Sequence, residues 1–154
     1  MRAAVLTVST TRSRGQGADV SGPALVELCE RAGLETVHET VSDDRAAITH
    51  ALIRLADEAG ARFVFTTGGT GMTPDDVTPE ATLDAIDREA PGFAESIRQE
   101  SRRHLALGIL QRGVSGLRGR TLIINFPGSP KAIAESWPVV EPTLRHAAET
   151  LERE

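Results

Sequence analysis

Residues 63–71 read Phe-Val-Phe-Thr-Thr-Gly-Gly-Thr-Gly. The aromatic and β-branched run Phe63–Thr67 predicts a short strand buried on both faces, and the glycines after it demand a turn. The pattern recurs near the C-terminus, where residues 120–125 read as a strand running into Asn125-Phe126-Pro127-Gly128-Ser129-Pro130-Lys131. Both turns lead into helix starts. Thr78-Pro79 predicts the N-cap and first residue of a helix near 79–89, and Ser129-Pro130 caps a short helix. A strand–turn–helix unit used twice predicts an α/β protein with both turns at the carboxyl ends of parallel strands, where ligands bind. Glycines there let backbone N–H groups approach an anion, and the helix N-terminus adds its positive end. Two such turns imply a site for something carrying phosphates.

Working outward, residues 2–8 read as a buried strand. Residues 9–20 form a polar loop of functional length, and Ser21-Gly22-Pro23 opens a helix to Ala32, stopped by Gly33. Residues 35–41 are a second strand. Asp43 or Asp44 caps the following helix, whose apolar face is Ile48, Ala51, Leu52, Leu55, Ala56 and Ala59. Pro91-Gly92 starts a helix over 93–107, Gly113–Gly119 reads as a turn-rich stretch or short hairpin, and Pro138 predicts a break before a last helix over 139–152. Strands alternating with helices predict a mostly parallel sheet covered on both faces. With no repeat or linker in sight, residues 1–154 are expected to form a single domain.

The 154 residues suffice for one substantial core. A net charge of −5 leaves no basic footprint, which argues against nucleic acid as a partner. Aromatic residues make up 3%, with no Tyr, so a base-stacking platform is not expected. Cys29 stands alone on the apolar side of a helix as a small core residue, which fits a reducing cytoplasm as the expected location. The N-terminal residues are too few and too β-branched for a signal peptide, and no apolar run reaches membrane-spanning length. The four histidines show no zinc spacing.

Lys131 is the only lysine, against sixteen arginines. It marks a place where a compact, mobile ammonium is wanted rather than a flat guanidinium fork. The first turn lacks the Gly-Lys-Ser/Thr ending of a P-loop and is not G-x-G-x-x-G. What remains is a threonine-rich turn with amides and hydroxyls, followed by Asp75 and Asp76, able to bind a phosphate and a metal together. With Thr78 supplying the cap, neither aspartate is explained by capping alone. Arg98, Arg102 and Arg103 read as a solvated, ion-paired face, and Trp137 as packing. Arg12 and Arg14, on a glycine-flanked loop, are candidates to fold over a triphosphate.

Thr66–Thr82, TTGGTGMTPDDVTPEAT, together with Asn125–Lys131, NFPGSPK, resembles the MoaB/Mog family of molybdenum cofactor biosynthesis proteins. Ser9, Arg14-Gly15, Asp19, Ser21–Leu25 and Ser42–Ile48 support the match in the right order. The resemblance implies a three-layer α/β/α sandwich that forms trimers, some members pairing trimers into hexamers. It also implies a cytoplasmic enzyme that uses Mg²⁺ and ATP to adenylate the terminal phosphate of molybdopterin, releasing pyrophosphate. A molybdenum-insertion enzyme is then a further partner. The family's essential aspartates map to Asp76 and Asp43, which would hold the Mg²⁺. Molybdopterin maps to Thr67, Gly68, Gly69, Thr70, Gly71, Gly128, Ser129, Pro130 and Lys131, and the nucleotide loop to Ser9, Arg12 and Arg14. The family usually has arginine where Asp75 stands and an Asp-Arg pair where Thr10-Thr11 stand. Two other readings stay open: a non-catalytic molybdopterin-binding scaffold, and a nucleotide-hydrolysing domain of the competence-damage type, which usually carries an additional domain.

Overall fold

The computed structural model describes residues 1–153. Strands β1 (Arg2–Val8), β2 (Glu35–Val41), β3 (Phe63–Thr67), β4 (Arg88–Glu89), β5 (Ser115–Arg118) and β6 (Thr121–Phe126) make one sheet in the order β2-β1-β3-β6-β5-β4. β2, β1, β3 and β6 run parallel, and β5 and β4 add antiparallel at one end. The helices are α1 (Thr10–Ser13), α2 (Ser21–Arg31), α3 (Arg45–Asp57), α4 (Thr78–Ala85), α5 (Gly92–His104) and α6 (Pro130–Leu151), with a 3₁₀ turn over Ala106–Leu110.

The period of two along each central strand sorts the core into two halves. Ala3, Val5, Phe63, Phe65, Leu122 and Ile124 pack with α2, α5 and α6 on one face. Ala4, Leu6, Val64 and Ile123 pack with α3 and α4 on the other. The expected three layers are present. Because β1 leads first to β2 on one side and then β3 follows on the other, the sheet switches direction between β1 and β3, the point at which such sheets open a crevice. Register is level there: Thr7 pairs with Thr67, and Thr67 with Phe126.

Several local expectations are corrected. The proposed break at Pro138 does not occur: α6 runs through both Pro138 and Pro142. Each proline costs a helix about 3 kcal/mol. Yet Ile133, Trp137, Val140, Leu144 and Ala148 form an uninterrupted buried stripe across them, and each large side chain in it returns about 1.5–3 kcal/mol. Trp137 is packing, as expected, edge-on to Phe65 at 5.7 Å. The helix expected to reach residue 89 ends at Ala85, because Asp87 N–H donates to Leu117 O (2.7 Å) and Ala90 N–H to Ser115 O (2.9 Å), drawing 88–89 into the sheet. The helix expected to reach 107 ends at His104, where the 3₁₀ turn takes over. Within the polar stretch 9–20, Ser9 caps the one-turn helix α1. The stretch 113–119, expected to be turn-rich or a short hairpin of its own, instead supplies the single strand β5, which pairs antiparallel with β6 across Gly119-Arg120. No helix among the described residues is long and apolar enough to cross a membrane.

Candidate active site

The carboxyl ends of β2, β1, β3 and β6 carry, in lateral order, Asp43, Ser9, the Gly68–Gly71 turn and the Gly128–Lys131 turn. Gly68 and Gly69 have φ of 96° and 68°, the left-handed region. A Cβ on Gly68 would overlap Val8 O, so the turn folds directly over the end of β1. Gly128 approaches the same residue, since a Cβ there would lie 3.6 Å from Gly68 Cα. Thr67 Oγ1 donates to Pro127 O (2.7 Å), bonding one turn to the other. The hydroxyl of Thr67 is therefore buried and occupied, and the cavity beside it is lined instead by Gly69, Thr70, Gly71, Asp76, Leu110, Gln111, Pro127 and Gly128, enclosing about 330 Å³.

Thr78 is not the cap it was expected to be. It is the first residue of α4, and its Oγ1 donates to Gly68 O (3.0 Å) while its N–H donates to Gly69 O (3.0 Å). The threonine holds the glycine turn. Asp76 does not cap either: its Oδ2 accepts from Thr73 N–H (3.0 Å) and Thr73 Oγ1 (2.8 Å), closing a turn that aims the carboxylate at Gly71. Asp75 is exposed. After β2, Asp44 caps α3 by accepting from Ala47 N–H (2.8 Å). Asp43 Oδ2 accepts from Thr10 N–H (2.8 Å) and Thr10 Oγ1 (3.0 Å), tying the loop after β1 to the end of β2.

Arg12 lies back on its own loop, Nε donating to Ala18 O (2.9 Å), and Arg14 is exposed. Ser129 Oγ accepts from Ala132 N–H (3.2 Å), the expected cap, with Pro130 in the first turn. Lys131 is exposed, its Nζ 3.9 Å from Glu135.

A second cavity, of about 230 Å³, shares Gln111 and Pro127 with the first and extends to Ser101, Leu107, Ser129 and Lys131. Ser101 Oγ and Gln111 Nε2 are the two buried side-chain polar atoms without a hydrogen-bond partner among the described residues, and both residues line this cavity. Unpaired buried polar groups are costly. Both atoms are closed off from solvent, Gln111 Nε2 lying against Gly113, so neither opens into the cavity itself.

Sequence reasoning missed Ser101 and Gln111, and it missed two arginines. Arg98, expected on a solvated face, turns inward, Nη1 donating to Gly113 O (2.7 Å) and Gln111 Oε1 (3.3 Å). Arg112 sends Nε to Gly71 O, Nη2 to Asp76 O and Nη1 to Glu80 Oε1, each at 2.7 Å. A third group also went unread: Thr7 Oγ1 donates to Asp19 Oδ2 (2.7 Å), with His38 Nε2 at 2.9 Å from the same hydroxyl. That cluster pins the far end of the loop over β1 and β2.

Among the described residues no three acidic, histidine or cysteine side chains stand close enough to enclose a metal. Asp43 and Asp76 follow the strands on either side of β1, which lie about 10 Å apart by ordinary strand spacing. Both carboxylates take these hydrogen bonds on Oδ2, which leaves Oδ1 for a ligand. That donor set suits Mg²⁺, which keeps several waters and takes one or two carboxylates plus substrate phosphates rather than a protein cage.

The fold and the joined glycine turns define an α/β protein with a glycine-lined crevice at its topological switch point. The family model described as a probable molybdopterin binding domain matches residues 4–146, and the chain belongs to that family. It is 38% identical over 150 residues to the molybdopterin adenylyltransferase of Helicobacter pylori, covering 96% of this chain and 85% of that one. It is 40% identical over 139 residues to the molybdopterin adenylyltransferase of Escherichia coli, covering 88% and 71%. The crystal structure of the molybdopterin biosynthesis enzyme MoaB from Thermus thermophilus superposes with a TM-score of 0.90 at 42% identity, over 97% and 95% of the two chains.

Proposed function

We propose that this chain is a molybdopterin adenylyltransferase, joining AMP from ATP to the terminal phosphate of molybdopterin with release of pyrophosphate. The observation that carries the reading is the contact of the two glycine turns beside Asp76 on one cavity. Amides of Thr70 and Gly71 and the Lys131 ammonium hold the acceptor phosphate. The pterin, a flat ring rimmed with donors and acceptors, enters the adjoining cavity, whose lining includes Ser101, Gln111, Ser129 and Lys131. The acceptor oxygen then attacks the α-phosphorus of ATP as its bond to the β-phosphate oxygen breaks.

Asp76 and Asp43 would hold Mg²⁺, which when bound neutralises charge on the triphosphate. Asp43 also fixes the loop bearing Ser9, Arg12 and Arg14, placing it to cover the nucleotide. Transfer of this kind relies on positioning and charge neutralisation, which is what fixed amides and two anchored carboxylates supply. A homotrimer in the cytoplasm, handing product to a molybdenum-insertion enzyme, is the setting that goes with this reading.

The test is pyrophosphate release from ATP and Mg²⁺ with and without molybdopterin. Release that depends on the pterin supports the assignment. Pterin binding without release points to a scaffold, and release without pterin points to nucleotide hydrolysis.

A further inference from the structure

Arg112 sits on the loop after the 3₁₀ turn, remote in sequence from everything its side chain touches. Its backbone N–H donates to Thr70 O (2.8 Å), and its guanidinium bonds Gly71 O, Asp76 O and both oxygens of Glu80. A guanidinium presents its donors as a rigid planar fork, so it fixes the relative position of every acceptor it bridges. Here the acceptors are the end of the glycine turn, the backbone of the candidate metal-holding aspartate and the first turn of α4. Apart from the Asp76–Thr73 turn, little else restrains 71–76, where residues 72–75 are exposed. The loop bearing Arg112 is itself fixed, because Arg98 on α5 bonds Gly113 O and Gln111 Oε1.

We infer that Arg112 is the positioning residue for Asp76: it acts through the carbonyls of Gly71 and Asp76 and sets the distance between the phosphate-binding turn and the carboxylate. The inference rests on the adenylyltransferase reading. A further consequence is that Gln111, in the wall shared by both cavities, is joined through one peptide bond to the residue that holds Asp76. The acceptor cavity and the carboxylate therefore share one rigid support.

The experiment compares Arg112→Gln, Arg112→Lys and Glu80→Gln with wild type in pyrophosphate release, in molybdopterin binding by calorimetry, and in amide hydrogen exchange of the protein without ligands. Misplacement of a reacting group by about 1 Å costs on the order of 100-fold in rate. Arg112→Gln is expected to lower kcat by about that factor while molybdopterin affinity changes less than about threefold. Exchange should rise across 70–77 and stay unchanged in β1 and β3. Lysine should not rescue, since one ammonium cannot bridge three separated acceptors. Wild-type kcat, or faster exchange spread through the whole chain, overturns the proposal. If Arg112→Gln fails to fold, Glu80→Gln decides: it leaves the carbonyl bonds in place, so a partial kcat loss with local exchange is expected, and unchanged behaviour counts against us. Asp76→Asn separates the two claims. Should that variant turn over normally, the adenylyltransferase roles fail, while the exchange data still report whether Arg112 holds the segment.

Discussion

Asp76 carries a hydrogen-bonded turn on one oxygen and lines the cavity at the glycine turn, so its structural role and its proposed chemical role come apart on substitution. Asp76→Asn keeps size and a carbonyl oxygen able to accept from Thr73, and removes the charge. It is expected to abolish adenylation while shifting the melting temperature little; wild-type turnover would mean that the residue only shapes the turn. Lys131 makes the complementary case. Its exposed ammonium stands 3.9 Å from Glu135, a pairing of a kind that adds almost nothing to stability. It also lies in the first turn of α6, where the helix dipole disfavours a cation. Lys131→Ala should therefore leave the melting temperature unchanged or slightly raised and weaken molybdopterin binding by about 1.5–3 kcal/mol. Titration calorimetry beside a thermal melt reads both, and a lower melting temperature with intact affinity would assign the lysine to structure. Asp75 is exposed and directly precedes Asp76, which lines the cavity. Asp75→Arg is expected to tighten binding of ATP or of the phosphorylated pterin, and unchanged affinity for both ligands would show that residue 75 points elsewhere.

At the scale of elements, the turn after β3 is the part that tolerates least. A side chain at Gly68 must adopt a left-handed backbone, worth about 1–2 kcal/mol, and must also push Val8 O aside. Gly68→Ala should lower the melting temperature by at least about 4 °C, at roughly 2–4 °C per kcal/mol for a chain of this size, and should reduce phosphate binding. Gly92→Ala is the control: its Cβ meets nothing within 4 Å, and the melt should be unchanged or slightly raised. If both variants melt together, the turn is not the constraint described. This contrast also explains what the sequence made legible. The glycine turns were readable because their geometry is local: a left-handed residue and the turn it permits lie within a few positions. Arg112 and Arg98 were not, because sixteen arginines look alike in sequence. Their partners Gly71 and Gly113 lie 41 and 15 positions away. Pro138 misled for a related reason: the local rule against proline is sound, but it is outweighed by a buried stripe whose partners, Phe65 and Phe126, belong to other strands. β4 is legible only from its partner, since two residues have no strand signature of their own.

For the whole molecule, the core offers an internal reporter of its own opening. Cys29 is fully buried beneath the sheet face that packs α2, α5 and α6. Burial, reinforced by the charge of Glu30, pushes its thiol from 9.0 up to about 12. The folded state therefore resists the thiolate, and the sign follows: stability is complete below the unfolded value near 9 and declines as pH rises toward 12. At pH 10.5 the loss should be about 2 kcal/mol, since holding a group protonated costs about 1.4 kcal/mol for each pH step above its unfolded pKa. Composition makes this readable, because the chain has no tyrosine and its one lysine is solvent-exposed. Urea unfolding at both pH values, for wild type and Cys29→Ala, isolates the effect. The alanine variant loses packing at both, and its stability should be flat between them while the wild type declines. A wild type as flat as the variant, with reversible unfolding, would show that the thiol reaches solvent and that α2 does not seal this face of the sheet.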